Sequence, residues 1–194
     1  PEDAITVTAE LRPGDSVSKV TLMAQDEIQI GTSSLLTIGI SHNRQEGYSP
    51  FWSPRLGIVH DAGGWGLFKA LYGTAFRAPS VYERAYIVPS IGYGNPTLLP
   101  EKMRSFEVSW EKRFSLQSRL TATAYHFDIE RMVTTDSAGL AVNGTPVRAN
   151  GLEIEYEQQW SNGSRLRTGY SVQYAADETR RLDNSPRHMV KLNL

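Results

Sequence analysis

Leu67-Phe68-Lys69-Ala70-Leu71-Tyr72-Gly73 rises, and Phe106-Glu107-Val108-Ser109-Trp110-Glu111-Lys112-Arg113-Phe114 comes back down, with a long polar and aromatic excursion between them. The falling stretch decides the fold. In a strand, residues two apart share a face. Phe106, Val108, Trp110, Lys112 and Phe114 therefore stand on one side, and Glu107, Ser109, Glu111 and Arg113 on the other. The stretch from Gly151 to Trp160 repeats the pattern, with Leu152, Ile154, Tyr156, Gln158 and Trp160 opposed to Gly151, Glu153, Glu155, Glu157 and Gln159. The charged faces are too dense in charge for a dry core, because unpaired buried charge is very costly. One face is wet and the other meets an apolar medium. Phe106, Val108, Trp110, Phe114, Leu152, Ile154, Tyr156 and Trp160 are the expected lipid-facing set.

The rest of the chain reads as more of the same. Strand patterns run over residues 20–30, 35–42, 55–60, 65–72, 105–114, 119–131, 151–160 and 165–174, with a further start at Arg187 and a weak candidate from Ile5 to Leu11. No segment carries helical spacing over a useful length. The connections alternate between short turns (Gly31-Thr32-Ser33, Asp61-Ala62-Gly63-Gly64, Ser115-Leu116-Gln117, Ser161-Asn162-Gly163) and longer loops. An up-and-down meander puts all short turns at one end, as transmembrane β-barrels do. The expectation is an all-β, antiparallel up-and-down transmembrane β-barrel, with about nine or ten strands of a larger barrel, since single-chain bacterial barrels close with an even number. A soluble antiparallel sheet with one wet face shares the alternation and stands as the alternative.

Aromatic residues should ring the apolar band. Trp65, Phe114 and Trp160 sit beside short turns, and Tyr72, Phe127 and Tyr174 toward the long loops. Lys112 is discordant on the apolar face and is expected to snorkel to headgroups. A weak repeat pairs Glu107–Leu120 with Glu153–Leu166 without gaps. Beyond it the two rising halves differ in phase by one residue: Tyr125, Phe127 and Ile129 are read as outward in one, and Tyr170, Val172 and Tyr174 in the other. A bulge would absorb that shift.

Composition excludes several classes. There are 20 basic and 21 acidic residues and no cysteine. No clustered basic face points to nucleic acid, and neither a disulfide framework nor a thiolate metal site is available. The longest apolar run, Leu35 to Ile40, is far shorter than the roughly 20 residues a membrane helix needs. Pro1-Glu2-Asp3-Ala4 does not read as a signal peptide.

Five stretches in order resemble the barrel of TonB-dependent outer-membrane receptors. They are Ala24-Gln25-Asp26-Glu27-Ile28; Ser53-Pro54-Arg55-Leu56-Gly57; Lys69 through Ser80; Gly94-Asn95-Pro96-Thr97-Leu98-Leu99-Pro100-Glu101 followed by Phe106-Glu107; and Asn150-Gly151-Leu152-Glu153-Ile154-Glu155. The resemblance covers about Val20 to the end. It implies a barrel of about 22 strands with a plugged lumen, set in the bacterial outer membrane. Such receptors take up a scarce ligand such as a ferric siderophore with energy passed on by TonB. The implied partners are outer-membrane lipid, a plug domain, TonB and a small metal chelate. Residues 1–194 are read as part of that barrel, with no plug domain and no aromatic closing strand end. Rival readings are a small complete barrel acting as a pore or membrane enzyme, and a soluble β-sheet binding module.

Arg77, Tyr82, Tyr86, Tyr93 and Asn95 lie in the long loop as candidate ligand contacts, since aromatic and Arg side chains are favoured anchors. The bland reading is that Phe76-Arg77-Ala78-Pro79 and Asn95-Pro96 shape the loop, because proline fixes the local backbone. The resemblance implies a His between these two motifs in receptors for haem; none occurs here from Phe76 to Pro100, which lowers the haem reading. His126, Asp128 and Glu130 alternate on one strand face and are read as a solvated lumen face, since three ligands along one strand rarely converge on a metal. The Glu and Arg residues of the wet face are expected to form cross-strand pairs and plug contacts. No nucleophile elbow or phosphate-binding glycine loop is present, so neither enzymatic activity nor a cofactor is expected.

Overall fold

Period-two sequence becomes a single meander. The computed structural model describes residues 10–11, 16–85, 87–88, 92–183 and 185–194. A small ribbon, β1 (Glu10–Leu11) with β2 (Ser16–Val17), comes first. Then follow β3 (Lys19–Ile30), β4 (Ser34–Gln45), β5 (Phe51–Asp61) and β6 (Leu67–Arg77). The long excursion carries a short helix α1 (Val81–Ala85) and the ribbon β7 (Ile87–Val88) with β8 (Gly92–Tyr93). Strands β9 (Glu101–Arg113) and β10 (Ser118–Glu130) precede the ribbon β11 (Val133–Thr135) with β12 (Ala141–Asn143). Strands β13 (Val147–Gln159), β14 (Arg165–Ala176) and β15 (His188–Asn193) end the chain.

The long strands form one nine-stranded sheet in the order β15-β14-β13-β10-β9-β6-β5-β4-β3, each pair antiparallel. Turns 31–33, 62–66, 114–117 and 160–164 lie at one end, and connections 46–50, 78–100, 131–146 and 177–187 at the other. The strands exceed their sequence-based bounds mainly at the long-loop end. Pro54 lies inside β5, opposite Ile40, where the sequence suggests a strand start. The expected strand over Ile5–Leu11 lies mostly outside the described residues. The single turn and a half of α1 is too short to alter the all-β reading.

Register sorts the side chains without interruption. Ile38, Leu56, Tyr72 and Phe106 stand in one cross-strand row, and Leu36, Ile58, Ala70, Val108, Ala124, Leu152 and Val172 in the next. Exposure is inverted relative to a soluble sheet. Phe106 is 49 % exposed and Leu56 48 %, whereas Glu111 on the opposite face is 9 % exposed. Among the described residues no second layer covers the apolar face. The small buried set, Leu98, Val147 and Ala175, sits at the roots of the long loops.

Five sequence expectations change here. Tyr125, Phe127 and Ile129 do not face outward. Tyr125 is opposite Glu107 and Gly151, and Phe127 opposite Ser105 and Ala149, so all three belong to the polar face. No bulge is needed, because both repeat units close alike: Phe114 N–H donates to Ser118 O at 3.0 Å, and Trp160 N–H to Ser164 O at 2.9 Å. The equal closure keeps both rising halves in phase. Phe127 accordingly leaves the aromatic ring, whose long-loop side is supplied by Tyr72, Tyr174 and Trp52 on the apolar face. By the same register His126, Asp128 and Glu130 stand on the apolar face, near the long loops, rather than on a lumen face. Finally, Lys112 does not reach outward; its ammonium donates to the Gly64 carbonyl in the neighbouring turn, while Trp110 Nε1–H donates to Trp65 O at 2.8 Å.

Candidate functional site

Arg77 ends β6, Glu101 begins β9, and the two are directly paired in the ladder. The guanidinium fork matches two carboxylates at once. Arg77 Nε and Nη2 donate to Glu101 at 2.6 Å each, and Nη1 and Nη2 donate to Glu83 at 2.9 and 3.0 Å. Glu83 reaches this position because Ser80-Val81-Tyr82-Glu83 forms a capping box on α1. Glu83 N–H donates to Ser80 Oγ at 3.2 Å and Ser80 N–H to the Glu83 carboxylate at 2.7 Å, each satisfying an otherwise orphan donor. The Ser-x-x-Glu spacing is a local sequence signal for this cap. Hydrogen bonds from Arg77, then from Ser80, hold the Glu83 carboxyl below its ordinary value, with burial opposing.

A second rivet joins the two longest loops. Asn95 Nδ2 donates to Ala141 O at 3.0 Å, and its Oδ1 accepts from Thr97 N–H and Oγ–H. Asn143 mimics a strand neighbour: its Oδ1 accepts Leu99 N–H at 2.8 Å, and its Nδ2 donates to the carbonyls of Leu99 and Arg131 at 2.8 and 2.9 Å. Arg131 has φ 58°, a left-handed conformation that frees its carbonyl for this bond. Glu101 also accepts Val133 N–H at 2.6 Å. A lone Asn in a sequence carries no signal for a partner 44 residues away.

The five candidate ligand residues thus fare differently. Arg77 and Asn95 are committed to loop-shaping bonds. Tyr82 is well exposed on α1. Tyr86 lies outside the described residues, and of Tyr93 only the backbone in β8 is described. Arg84 stacks over the Tyr48 ring at 5.5 Å and ties the 46–50 connection to α1.

On the polar face the repeat becomes an ion ladder near the short turns. Glu111 meets Lys69 at 3.3 Å and Arg113 at 3.5 Å. Arg119 spans Glu111 at 3.9 Å and Glu157 at 2.8 Å, and Glu157 meets Arg165 and Arg167 at 3.1 and 3.3 Å. Higher on the same wall Tyr125 stacks on Phe127, ring centroids 4.9 Å apart, and its hydroxyl donates to Gln173 Oε1 at 3.1 Å. Sequence reading missed this aromatic pair because it put both rings on the other face. Among the described residues no group of three or more His, Asp or Glu side chains could hold a metal ion. The wall therefore offers aromatic surface, amides and carboxylates.

Residues 3–194 match the family described as TonB dependent receptor-like, beta-barrel. No curated protein matches by sequence. The siderophore receptor PirA from Pseudomonas aeruginosa superposes with TM-score 0.76 at 20% identity, covering 84% of this chain and 33% of PirA. The ferripyoverdine receptor of the Pseudomonas aeruginosa outer membrane gives TM-score 0.71 at 15% identity, covering 91% of this chain and 25% of its own. The ferric-catecholate import receptor Fiu from E. coli K12 gives 0.69 at 17%, covering 91% and 31%. The chain spans about a third of the length of the first two solved structures it matches.

Proposed function

Since this chain belongs to the TonB-dependent receptor β-barrel family, we propose that it forms part of the wall of an outer-membrane receptor. The whole protein takes up a scarce chelate, a ferric siderophore by preference, with energy delivered through TonB. The observation that carries the reading is the inverted exposure: a bare apolar face on one side, a crowded Glu/Arg and Tyr/Phe wall on the other. The apolar set from Phe106 to Trp160 meets lipid, as a barrel exterior must. The ion ladder lines the lumen and meets the plug. Tyr82, Tyr86 and Tyr93 contact ligand from the loop, and Arg77 and Asn95 hold the loop that presents them.

Uptake of radiolabelled ferric catecholate, ferric hydroxamate and ferripyoverdine by cells lacking, then re-supplied with, the full-length gene tests this reading. Energy-dependent uptake of one chelate that requires the gene and TonB is expected. Passive, TonB-independent passage of small solutes through the protein would replace the receptor with a pore.

A further inference from the structure

We propose that Asn162 is a site of spontaneous deamidation, and that the fold shields the other two Asn-Gly pairs from the same reaction. The pairs are Asn143-Gly144, Asn150-Gly151 and Asn162-Gly163. The reaction needs no enzyme. The glycine nitrogen attacks Cγ of the asparagine before it. The Cγ–Nδ2 bond breaks, and Nδ2 leaves as ammonia with the proton that the glycine nitrogen gives up. Water then opens the cyclic imide to aspartate or, at its other carbonyl, to isoaspartate. Glycine supplies the least hindered attacking nitrogen, because no Cβ stands beside it. All three asparagines precede glycine, so their rates in an unfolded chain are alike. In the folded chain the difference is set by how freely nitrogen and Cγ can approach.

Asn143 is pinned. Its Oδ1 accepts Leu99 N–H, and its Nδ2, the group that must leave, donates to the carbonyls of Leu99 and Arg131. Its main chain pairs with Val133 in the β11–β12 ribbon. Asn150 is held otherwise. It lies inside β13 between His126 and Tyr174, so ladders on both sides keep its main chain extended. Its Oδ1 is 2.6 Å from His126 Nδ1, and the Tyr125 ring covers Gly151.

Asn162 has none of these restraints. It is exposed in the turn between β13 and β14, and among the described residues its Nδ2 has no hydrogen-bond partner. Nothing lies within 4 Å of where a Cβ on Gly163 would stand. Gly163 N–H donates to Trp160 O at 3.0 Å and Gly144 N–H to Met132 O at 2.8 Å, so both attacking nitrogens are engaged and the side chains make the difference. Ser164 N–H donates to Asn162 Oδ1 at 3.0 Å. A donor there stabilises the negative charge that grows on the amide oxygen during attack. The consequences also differ. Aspartate at 162 keeps an acceptor oxygen for Ser164 N–H. Aspartate at 143 would turn a carboxylate toward two carbonyls and open the rivet between the long loops.

The test is peptide mapping of the full-length protein, aged in detergent in warm, mildly alkaline buffer and sampled over weeks. Trypsin digestion and fragmentation mass spectrometry read the change of amide to acid at each asparagine and separate 150 from 162 within one peptide. Conversion at Asn162 should outrun that at Asn143 by on the order of a hundredfold, since three side-chain hydrogen bonds must open first at Asn143. Conversion at Asn150 should also lag well behind. In urea the three rates should converge. Comparable rates in the folded protein overturn the proposal. So does a preference for Asn162 that survives in urea, since the sequence alone would then be its cause. Asn162→Gln, which closes a larger and slower ring, should leave that peptide unconverted in the folded protein. Undiminished conversion there would place the reaction elsewhere and overturn the assignment as well.

Discussion

Tyr125 lies against Gly151 of the neighbouring strand so closely that a β-carbon on Gly151 would come within 2.3 Å of the phenol ring. The pair is in direct register between β10 and β13. The bare glycine lets the ring lie along the wall and its hydroxyl reach Gln173 on β14. Gly151→Ala must drive that ring away from the sheet. A loss of about 1–3 kcal/mol is expected, as for other overpacked sites, measured by urea unfolding of the full-length protein from liposomes. In the background of Tyr125→Ala the same glycine substitution should cost little. Equal costs in both backgrounds would mean that the two residues do not compete for space.

Arg119 should carry more of the ladder than its neighbours, since it bridges Glu111 and Glu157. Its partners are mostly buried, but the cations are half exposed, so screening reduces the cost of a broken pair to about 1–2 kcal/mol. Arg119→Met should lower stability by that amount at low salt and by less at high salt, because exposed charges are screened within a few Å to 10 Å. A salt-independent loss would point to packing by the arginine stem instead.

Two adjacent substitutions in β9 separate the faces. Val108→Arg puts a charge on the apolar face about midway along the strand, where membrane barrels lose about 2–4 kcal/mol. Ser109→Arg puts the same charge on the wet face, between Glu107 and Glu111 and opposite Lys69, and should cost less than Val108→Arg. Liposome unfolding reads both, and a larger loss for Ser109→Arg would reverse the assignment.

The Arg77–Glu83–Glu101 clasp should open with acid. Glu83 is held below its ordinary value of 4.5, so its stabilisation is complete above that value and is lost as pH falls through the lower folded value. Amide exchange of residues 78–85, corrected for intrinsic rates, should stay flat from about pH 7 to about pH 5 and rise only below the ordinary carboxylate range. Glu83→Gln should show the acid-opened exchange at neutral pH. Loss of protection between pH 5 and 7 would assign the loop's order to another group.

Strands whose alternation is strong, such as Phe106–Phe114 and Leu152–Trp160, declared their faces in sequence. β10 did not, because its apolar face is thin there: Ala122 and Ala124 share the face of Trp110 and Val108, while Tyr125 and Phe127 share that of Glu107 and Ser105. Hydrophobicity pointed one way and the register, set by the turn closure and the Glu–Arg ladder, pointed the other. The same error moved His126, Asp128 and Glu130. The loop contacts were less legible still. Ser80 and Glu83 are three residues apart and give a local signal, whereas Asn143 finds Leu99 only because the sheet brings two loops together.

Site-directed spin labelling along 105–110 tests the two-faced wall most directly. The chain has no cysteine, so each label can be placed singly on these strands. In liposomes of the full-length protein, labels at 106, 108 and 110 should be accessible to oxygen, which concentrates in lipid. Labels at 105, 107 and 109 should instead respond to a water-soluble nickel chelate. The opposite phase, or a period-two pattern with 106, 108 and 110 shielded from both reagents, would contradict a wall that is greasy outside and wet within.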